Sequence, residues 1–495
     1  MSLGKQAIGG AGIVLLIRIF QRGLGIISML ILARVLIPED FGIVAIATLA
    51  VYFFDALSNS GAKDYIIQKR EVDAEDLNSA WSLNLVLKLA VWLLFLVSIP
   101  LVTAHYERKD LDSALFVISL ILPIGTLVNP GLWLFIRDVN YRPELRMAVI
   151  SRTVSFVVVV ALAVITKSYW AMILGVVIGP STDAIVSRYI HPHIPAWTLV
   201  RVSKQWDFTK WVLMKGFVGY ARAEMDSLLV ASLFPLREIG GYTLMRNLSA
   251  MPLQQILAPA SEPLMAIFAK VKDDSARIAE QVRIAIIVIF AAMLPFTFLM
   301  WQFDRAIVTL ILGTQWVEYA PILGLLSLAL IPGTILTVFH RLCVAQGAVR
   351  FIFIFDLFST ALVISVLVGW DFKNIYEFAL LRTMLAFVLP TTFCLLVSRK
   401  FSLSFSNIKL ALLWCIGAAL LVTPIAQLGL DAVSAAGYPV FIQLCVATGI
   451  FGVLYCSMLY LLFRVQGGRV EIEYVRYLIL SAVKKVTSRL RRTDG

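Results

Sequence analysis

The chain has 495 residues, of which 60% are hydrophobic and 15% are charged, with a net charge of +12 and a mean hydropathy of +0.87. A soluble globular protein is usually about half apolar, so this composition excludes that class and indicates an integral membrane protein. The positive charge lies mainly in the connections that flank apolar segments, which argues against nucleic acid as a partner and favours a membrane surface.

Fourteen apolar windows of about 20 residues follow one another along the chain, and each is long enough to cross a bilayer as a helix. The first window contains Arg18 and Arg22 and exceeds the apolar core of a signal peptide, so we expect it to be retained. The sequence predicts an all-α integral membrane fold with about 14 transmembrane helices, over residues 12–33, 42–62, 80–103, 113–136, 147–166, 169–190, 211–233, 243–268, 284–303, 320–340, 351–370, 375–398, 409–429 and 439–463.

Lysine and arginine alternate between the connections of these helices. They concentrate in the even-numbered connections and in the stretch after Phe463. Because positively charged residues favour the cytoplasmic side of a membrane, we expect those connections and both termini to be cytoplasmic.

A helical hairpin near the N-terminus has a second copy about two hundred residues later. Its two apolar segments flank a turn with Pro38 and Gly42, and the same pattern returns around Pro235 and Gly240. Proline and glycine suit a turn that continues neither helix. The predicted domains are an N-terminal six-helix lobe (1–190), a cytoplasmic interfacial linker (191–210), a C-terminal six-helix lobe (211–398), two additional transmembrane helices (399–463) and a basic cytoplasmic tail (464–495).

Metal and disulfide chemistry find little support. His191 and His193 form a possible metal pair, but no third ligand is nearby, so we interpret this stretch as a solvated, proline-rich loop. The five cysteines lie in apolar segments without CxxC spacing, which favours reduced packing residues.

The chain has no recognisable catalytic motif. It lacks a GxxxxGK[ST] phosphate loop, an HExxH zinc motif and a GxSxG elbow. We therefore expect neither an enzyme nor a cofactor, and energy would come from an ion gradient, from the cargo's own concentration difference or from a partner.

Charged residues at membrane depth are the main functional candidates, because inserting one costs about 2.5–3.5 kcal/mol. Arg18 and Arg22 are spaced i,i+4 and share a helix face. So many charges are tolerated only if they line a water-filled cavity or pair with one another. The remaining ones are Asp55, Lys88, Arg152, Asp183, Lys215, Arg222, Glu224, Asp226, Arg246, Glu262, Asp356 and Arg382.

Some of these charges have simpler explanations. Lys88, Arg152 and Glu262 lie near predicted helix ends, from which we expect them to snorkel to the interface. The pairs Arg22–Asp55 and Arg222–Asp226 are either structural or functional ion pairs. Basic groups still exceed acidic ones in the first, seventh and eighth helices, and this excess implies an anionic ligand.

Several motifs resemble the polysaccharide-type flippases of the multidrug/oligosaccharidyl-lipid/polysaccharide (MOP) superfamily, in particular the Wzx-type branch that includes colanic acid exporters. The resemblance covers most of the chain. It rests on Leu32 to Gly42, Ser60-Gly61-Ala62 through Arg70, Gly240-Gly241-Tyr242 with Asn247 and Pro252, Phe268 to Asp274, and Gly313 to Trp316 with Ala320 to Leu323.

The resemblance implies two six-helix lobes around a central cavity, which alternate between inward-open and outward-open states. The implied cargo is an undecaprenyl-pyrophosphate-linked oligosaccharide that crosses the bacterial inner membrane for capsule, exopolysaccharide or O-antigen-like polymer synthesis. A cationic cavity would hold the pyrophosphate, since guanidinium groups bind phosphate oxygens bidentately. The positions that match the family's pyrophosphate seat are Arg18, Arg22, Lys215, Arg222 and Arg246.

Coupling to a proton or sodium gradient would need a carboxylate, and Asp55, Glu224, Asp226 and Asp356 are the candidates, although structural pairing explains them equally well. Three alternatives stay open: a multidrug/cation antiporter of the same superfamily, a membrane glycosyltransferase or polymerase, and an assembly scaffold. Expected partners are the lipid-linked cargo, the membrane and polysaccharide polymerase or assembly proteins.

Overall fold

The computed structural model describes residues 3–465, apart from 109, 272–273 and 402–405. Within this part of the chain all regular secondary structure is helical. The chain forms two compact units that meet in sequence between Thr243 and Leu244. The predicted lobe boundaries remain predictions, and the predicted basic tail lies almost wholly outside the described residues.

The described part of the first unit contains eleven complete helices. They are α1 (Leu3–Val35), α2 (Pro38–Ser58), α3 (Ala62–Gln68), α4 (Ala74–Tyr106), α5 (Asp110–Ser119), α6 (Ile121–Gly125), α7 (Leu132–Arg137), α8 (Arg142–Thr166), α9 (Trp170–Ile190), α10 (Val202–Ala223) and α11 (Met225–Leu233).

The next helix, α12 (Leu236–Pro252), begins in the first unit and ends in the second. A π-helical turn (Leu253–Leu257) and a 3₁₀ turn (Thr314–Tyr319) interrupt the series that follows. The α-helices of this series are α13 (Ala258–Lys270), α14 (Ser275–Gln302), α15 (Asp304–Ile311), α16 (Ala320–Leu328), α17 (Leu330–Ala345), α18 (Val349–Val368), α19 (Ile375–Lys400), α20 (Ser406–Ala435) and α21 (Val440–Val465).

Eleven helical segments of the described chain are long and apolar enough to cross a membrane. They coincide with eleven of the fourteen predicted helices, and the predicted fourth, seventh and eighth helices are not in this set. Each of these three is divided in the folded chain. The fourth is divided into α5, α6 and α7, the seventh changes direction at Glu224, and the eighth passes through the π-helical turn after Pro252. Prolines and charged residues at these points weaken a continuous helix.

Local side-chain caps fix where the long helices begin. Asp40 accepts a hydrogen bond from the Ile37 backbone N–H at 3.2 Å at the start of α2. At the start of α4, Asp73 accepts from the Asp76 N–H at 2.9 Å, and Asp76 accepts in return from the Asp73 N–H at 3.3 Å. Such caps satisfy N–H groups that the first helical turn leaves without partners.

Two hydrogen bonds join helix ends at one end of the first unit. The Tyr169 backbone N–H donates to Asp40 at 3.3 Å, and the Tyr106 hydroxyl donates to the Ala231 carbonyl oxygen. The first contact joins the starts of α2 and α9, and the second joins the ends of α4 and α11. Residues of α2, α4 and α11 line one shared pocket, so all four helix ends lie together. We call this end of the first unit, which includes Pro38, the Pro38 end.

The two proline turns of the repeated hairpin meet at the Pro38 end. An ideal β-carbon on Gly42 would lie 2.0 Å from the Leu236 carbonyl oxygen, and one on Gly240 would lie 2.0 Å from the Pro38 carbonyl oxygen. In the repeat, Gly240 corresponds to Gly42 and Leu236 corresponds to Pro38, because both pairs have the same spacing in sequence. Each glycine meets the turn of the other hairpin, so the two contacts are reciprocal. Glycine is required at both positions because backbone fills the space of a side chain.

In the second unit, the two additional helices α20 and α21 pack against α14. Their shared core includes Phe290, Leu294, Cys415 and Phe451. The Tyr455 hydroxyl donates to the Ala291 carbonyl oxygen at 3.1 Å, which ties α21 to α14. The last two membrane segments are thus an integral part of the second unit's core.

Candidate functional site

The basic face of α1 opens onto space. Arg18 and Arg22 are both exposed, and an ideal β-carbon on the neighbouring Gly23 or Gly25 would have no atom within 4 Å. The helix packs against α8 through another part of its surface, where Ile17 is buried. Because α1 is an apolar membrane segment, two exposed arginines at this depth indicate a polar, accessible space beside it.

The basic face of α10 is also exposed. Lys215, Gly219 and Arg222 share one side of the helix, and all three are exposed. Lys215 has no carboxylate within 4.0 Å among the described residues. Together with α1, this helix gives the first unit four of the five predicted anion-binding residues.

The other side of α10 is fixed to α2. The Thr209 hydroxyl donates to the Ser60 carbonyl oxygen at 2.8 Å, and the Tyr220 hydroxyl donates to the Leu49 carbonyl oxygen at 2.6 Å. Between these bonds, an ideal β-carbon on Gly216 would lie 3.1 Å from the carbonyl oxygen of α2 residue 56. These contacts hold α10 in one rotation, so its basic face points away from α2.

A break in the helix follows directly after this basic face. Glu224 separates α10 from α11, and its carboxylate accepts a hydrogen bond from the Ser227 hydroxyl at 2.8 Å. Glu224 and Asp226 are both half-buried, beside the exposed Arg222. Interrupted membrane helices are found where transporters bind ligands, since the break frees backbone groups and positions charge. The predicted uninterrupted helix did not include this feature.

Asp55 pairs with Lys88, at 2.6 Å between the carboxylate and the ammonium group. The side chain of Lys88 is 16% exposed and that of Asp55 is 41% exposed. The expectation that Lys88 snorkels is therefore wrong, and Lys88 rather than Arg22 holds Asp55. The pairing gives Asp55 a structural role, which weakens its candidacy as the carboxylate that couples transport to an ion gradient.

The second unit holds further sequence candidates. Arg246 is half-buried on α12, and Asp356 is half-buried on α18. Glu262 is exposed on α13, one turn beyond the π-helical segment that interrupts the predicted eighth helix. The proposed roles of these residues stay predictions.

The predicted linker is bound to the first unit rather than solvated. Asn129 donates to the carbonyl oxygens of His191 and His193 at 2.7 and 2.8 Å. Asn78 on α4 contacts a ring nitrogen of His193 at 3.0 Å and accepts from the Ala196 N–H at 3.1 Å. These contacts correct the interpretation of a solvated loop, and the two asparagines were not among the sequence candidates.

The histidines serve this docking. The Nδ1 atom of His191 accepts from the His193 backbone N–H at 3.1 Å, so His191 is neutral in this arrangement. Burial lowers the pKa of His191, and burial together with the neighbouring His191 lowers the pKa of His193. No group of three or more metal-binding side chains lies close together in the described parts of the chain.

Arg201 secures the far end of the linker. Its guanidinium lies 2.8 Å from Asp73, 2.8 Å from Glu75 and 2.7 Å from Asp76 at the start of α4. Hydrogen bonds to these carboxylates raise the pKa of Arg201, which remains charged. Several partners on one guanidinium give a better-defined geometry than a single surface pair.

The architecture identifies the class of protein. The chain resembles the solved structure of the lipid II flippase MurJ in an inward closed conformation with a TM-score of 0.70, covering 91% of this chain and 98% of that chain. The sequence identity is 14%, so the likeness concerns the fold. The fold is thus that of a multi-pass membrane protein.

The family follows from the sequence. A family model described as "Polysaccharide biosynthesis protein" matches residues 31–321. This stretch is more than half of the chain, and the chain belongs to this family. The family membership confirms the resemblance to the polysaccharide-type branch of the MOP superfamily that the hairpin motifs indicate.

Two relatives extend the comparison. The succinoglycan biosynthesis transport protein ExoT of Rhizobium meliloti is 24% identical over 312 residues, 62% of this chain and 63% of that protein. The lipopolysaccharide biosynthesis protein WzxC of Escherichia coli is 22% identical over 376 residues, 74% of this chain and 76% of that protein. The match spans less than two thirds of the length of ExoT.

Proposed function

We propose that this protein is a flippase that moves an undecaprenyl-pyrophosphate-linked oligosaccharide across the bacterial inner membrane by alternating access, for capsule, exopolysaccharide or O-antigen-like polymer synthesis. The observation that carries the proposal is the exposure of Arg18, Arg22, Lys215 and Arg222 on α1 and α10, which the proposal places in the membrane. In a polysaccharide biosynthesis family, the anion that such residues would bind at this depth is the phosphate of a lipid carrier.

The chemistry of these side chains suits a diphosphate. A guanidinium group offers paired N–H donors to two phosphate oxygens, and an ammonium group adds a compact charge. Such charge-assisted bonds are about twice as strong as neutral ones. The sugar would be bound less specifically than the diphosphate, since many polymers begin from the same carrier.

The proposed topology has fourteen crossings, with the predicted fourth, seventh and eighth helices added to the eleven long apolar segments. Both termini and the 191–210 linker would be cytoplasmic, and the Pro38 end would face outwards. The two six-helix lobes would correspond to residues 1–190 and 211–398. Coupling to a proton or sodium gradient stays a prediction, with Glu224, Asp226 and Asp356 as the candidates besides the paired Asp55.

A multidrug/cation antiporter is the second candidate of the same fold, but a basic face would repel the cationic compounds that such transporters mostly carry. A glycosyltransferase or polymerase would need acidic groups arranged for sugar chemistry. Polymerase and assembly proteins enter the proposal as partners that receive the cargo on the far side of the membrane.

The test is substitution of Arg22 in a strain that depends on this protein for polymer export. We expect Arg22→Ala to abolish export at unchanged membrane abundance, and Arg22→Lys to retain part of it because the charge remains without the bidentate geometry. Arg34→Ala, on the same helix but near the Pro38 end, is the matched control and should export normally. Normal export by both Arg18→Ala and Arg22→Ala would overturn the proposed anion seat.

A further inference from the structure

Arg152 on α8 lies on the side of its helix that faces the protein. Ala148 lies four residues before Arg152, Val159 lies seven residues after it, and Ala163 lies eleven residues after it. At this spacing all four residues share one face of the helix, and Ala148, Val159 and Ala163 are buried. Arg152 is nevertheless exposed. The lipid-facing side of α8 is the opposite one, with the exposed apolar residues Ile150, Val154, Val157 and Val164.

An exposed residue on the protein-facing side of a helix opens into a cleft and not into lipid. One turn further along, the hydroxyl of Ser155 is buried without a hydrogen-bond partner among the described residues. The same region therefore contains both an accessible cation and a polar atom that lacks a partner, which is typical of a site that a polar ligand completes.

The depth of Arg152 matches that of Arg22. Arg152 lies 14 residues before Thr166, the last residue of α8, and Arg22 lies 13 residues before Val35, the last residue of α1. Both helices finish at the Pro38 end, so both arginines lie about 20 Å from it at 1.5 Å per residue. The other end of α8, at Arg142, is about 15 Å from Arg152.

Arg152 has no close ionic partner. None of the described residues offers it a hydrogen bond, or a carboxylate within 4.0 Å. The titratable groups within electrostatic reach include Tyr52 on α2 and Asp183 on α9. An unpaired guanidinium at membrane depth is costly unless a ligand neutralises it.

We propose that Arg152 is a further anion-binding residue for the cargo, donating from α8 to a diphosphate oxygen at the depth of Arg22. This inference rests on the proposed flippase function. Asp183 moderates the site, since its negative charge competes with the anion for Arg152. Helices α1 and α8 pack against each other, so the cargo anion meets basic groups on two adjacent helices.

The experiment measures the affinity of the purified full-length protein for inorganic pyrophosphate by isothermal titration calorimetry in nanodiscs. We expect Arg152→Ala to weaken binding about tenfold, as the loss of one charge-assisted bond predicts, with an unchanged melting temperature. The affinity of Arg152→Lys for pyrophosphate should lie between that of the parent protein and that of Arg152→Ala. The matched control is Arg146→Ala, an exposed arginine nearer the start of α8 and on its opposite side, which should bind as the parent protein does.

Substitution of Asp183 separates binding from a structural role. If Arg152 binds the anion, Asp183→Asn should tighten binding by removing a competing charge, and Arg152→Ala/Asp183→Asn should remain weak. If Arg152 is only a counterion for Asp183, the double variant should bind and melt normally, which would overturn the inference. Unchanged binding by Arg152→Ala would do the same.

Arg22→Ala distinguishes this inference from the proposed function. Weakened binding by Arg22→Ala with normal binding by Arg152→Ala refutes the role of Arg152 and leaves the flippase proposal intact. A parent protein that does not bind pyrophosphate, or equal binding by both variants and the parent, contradicts the anion seat and with it the role of Arg152.

Discussion

Removal of Asp55 should destabilise the first unit by about 2–3 kcal/mol. Lys88 is 16% exposed and lies 2.6 Å from the Asp55 carboxylate, so Asp55→Ala leaves an ammonium group without a partner in a membrane helix. Breaking a buried pair costs about 3–5 kcal/mol, and an exposed pair contributes about 0–1 kcal/mol. Because Asp55 is 41% exposed, water offsets part of the cost, which places the expected loss between these limits.

A second substitution should reverse most of this loss. Asp55→Ala/Lys88→Met removes both charges, and the double variant should come within about 1 kcal/mol of the parent because no unpaired charge remains. The control pair is Lys63–Glu144, which is 3.9 Å apart with side chains 46% and 34% exposed. Glu144→Ala should therefore cost less than about 1 kcal/mol.

The assay is equilibrium unfolding in mixed micelles, with polymer export measured in parallel. A single Asp55→Ala variant as stable as the parent would refute the argument that this pair is a buried structural one. A double variant that regains stability but not export would show that the carboxylate also serves transport, which would return Asp55 to the candidates for ion coupling.

Two further predictions concern the turns and the linker. Gly240→Ala places a β-carbon 2.0 Å from the Pro38 carbonyl oxygen, so it should lower the free energy of unfolding by about 1–3 kcal/mol. Gly452→Ala is the control and should leave the free energy of unfolding unchanged, because nothing lies within 4 Å of its β-carbon. Equal unfolding midpoints for the two variants would contradict the close contact. The pKa values of His191 and His193 are lowered in the docked linker, so the undocked linker binds more protons below the ordinary histidine pKa of about 6.5. Docking should be fully stable above this pH and weaken as the pH falls from there through the lowered pKa values, which hydrogen exchange over 191–201 would detect; equal protection at pH 7.5 and pH 5.5 would refute it.

The sequence predicts the membrane helices well where apolar length alone decides them. It predicts the interrupted segments poorly, because apolar content reports membrane depth and not helix continuity. Glu224 illustrates the difference, since it stands inside an apolar window and yet marks the change from α10 to α11.

The charged candidates depend on how helices are rotated and where they end. Lys88 is predicted to snorkel because it lies near a predicted helix end, whereas its partner Asp55 lies on another helix, 33 positions away in sequence, and comes close only in the folded chain. Arg152 is predicted to snorkel because it lies near a predicted helix end, and only the folded chain shows that it lies on the protein-facing side of α8. The docked linker was missed because Asn78 and Asn129 become neighbours of the histidines only in the folded chain.

The reciprocal contact between the two proline turns has a consequence for the origin of the chain. Gly42 meets Leu236 and Gly240 meets Pro38, so each partner of the contact is the repeat equivalent of the other. This is the arrangement of a homodimer with a two-fold axis, in which one patch serves both subunits. A chain with only the first hairpin would already contain both the glycine and the turn that receives it. Two such chains could pair through this patch, and fusion of their genes would preserve the contact without any new residue.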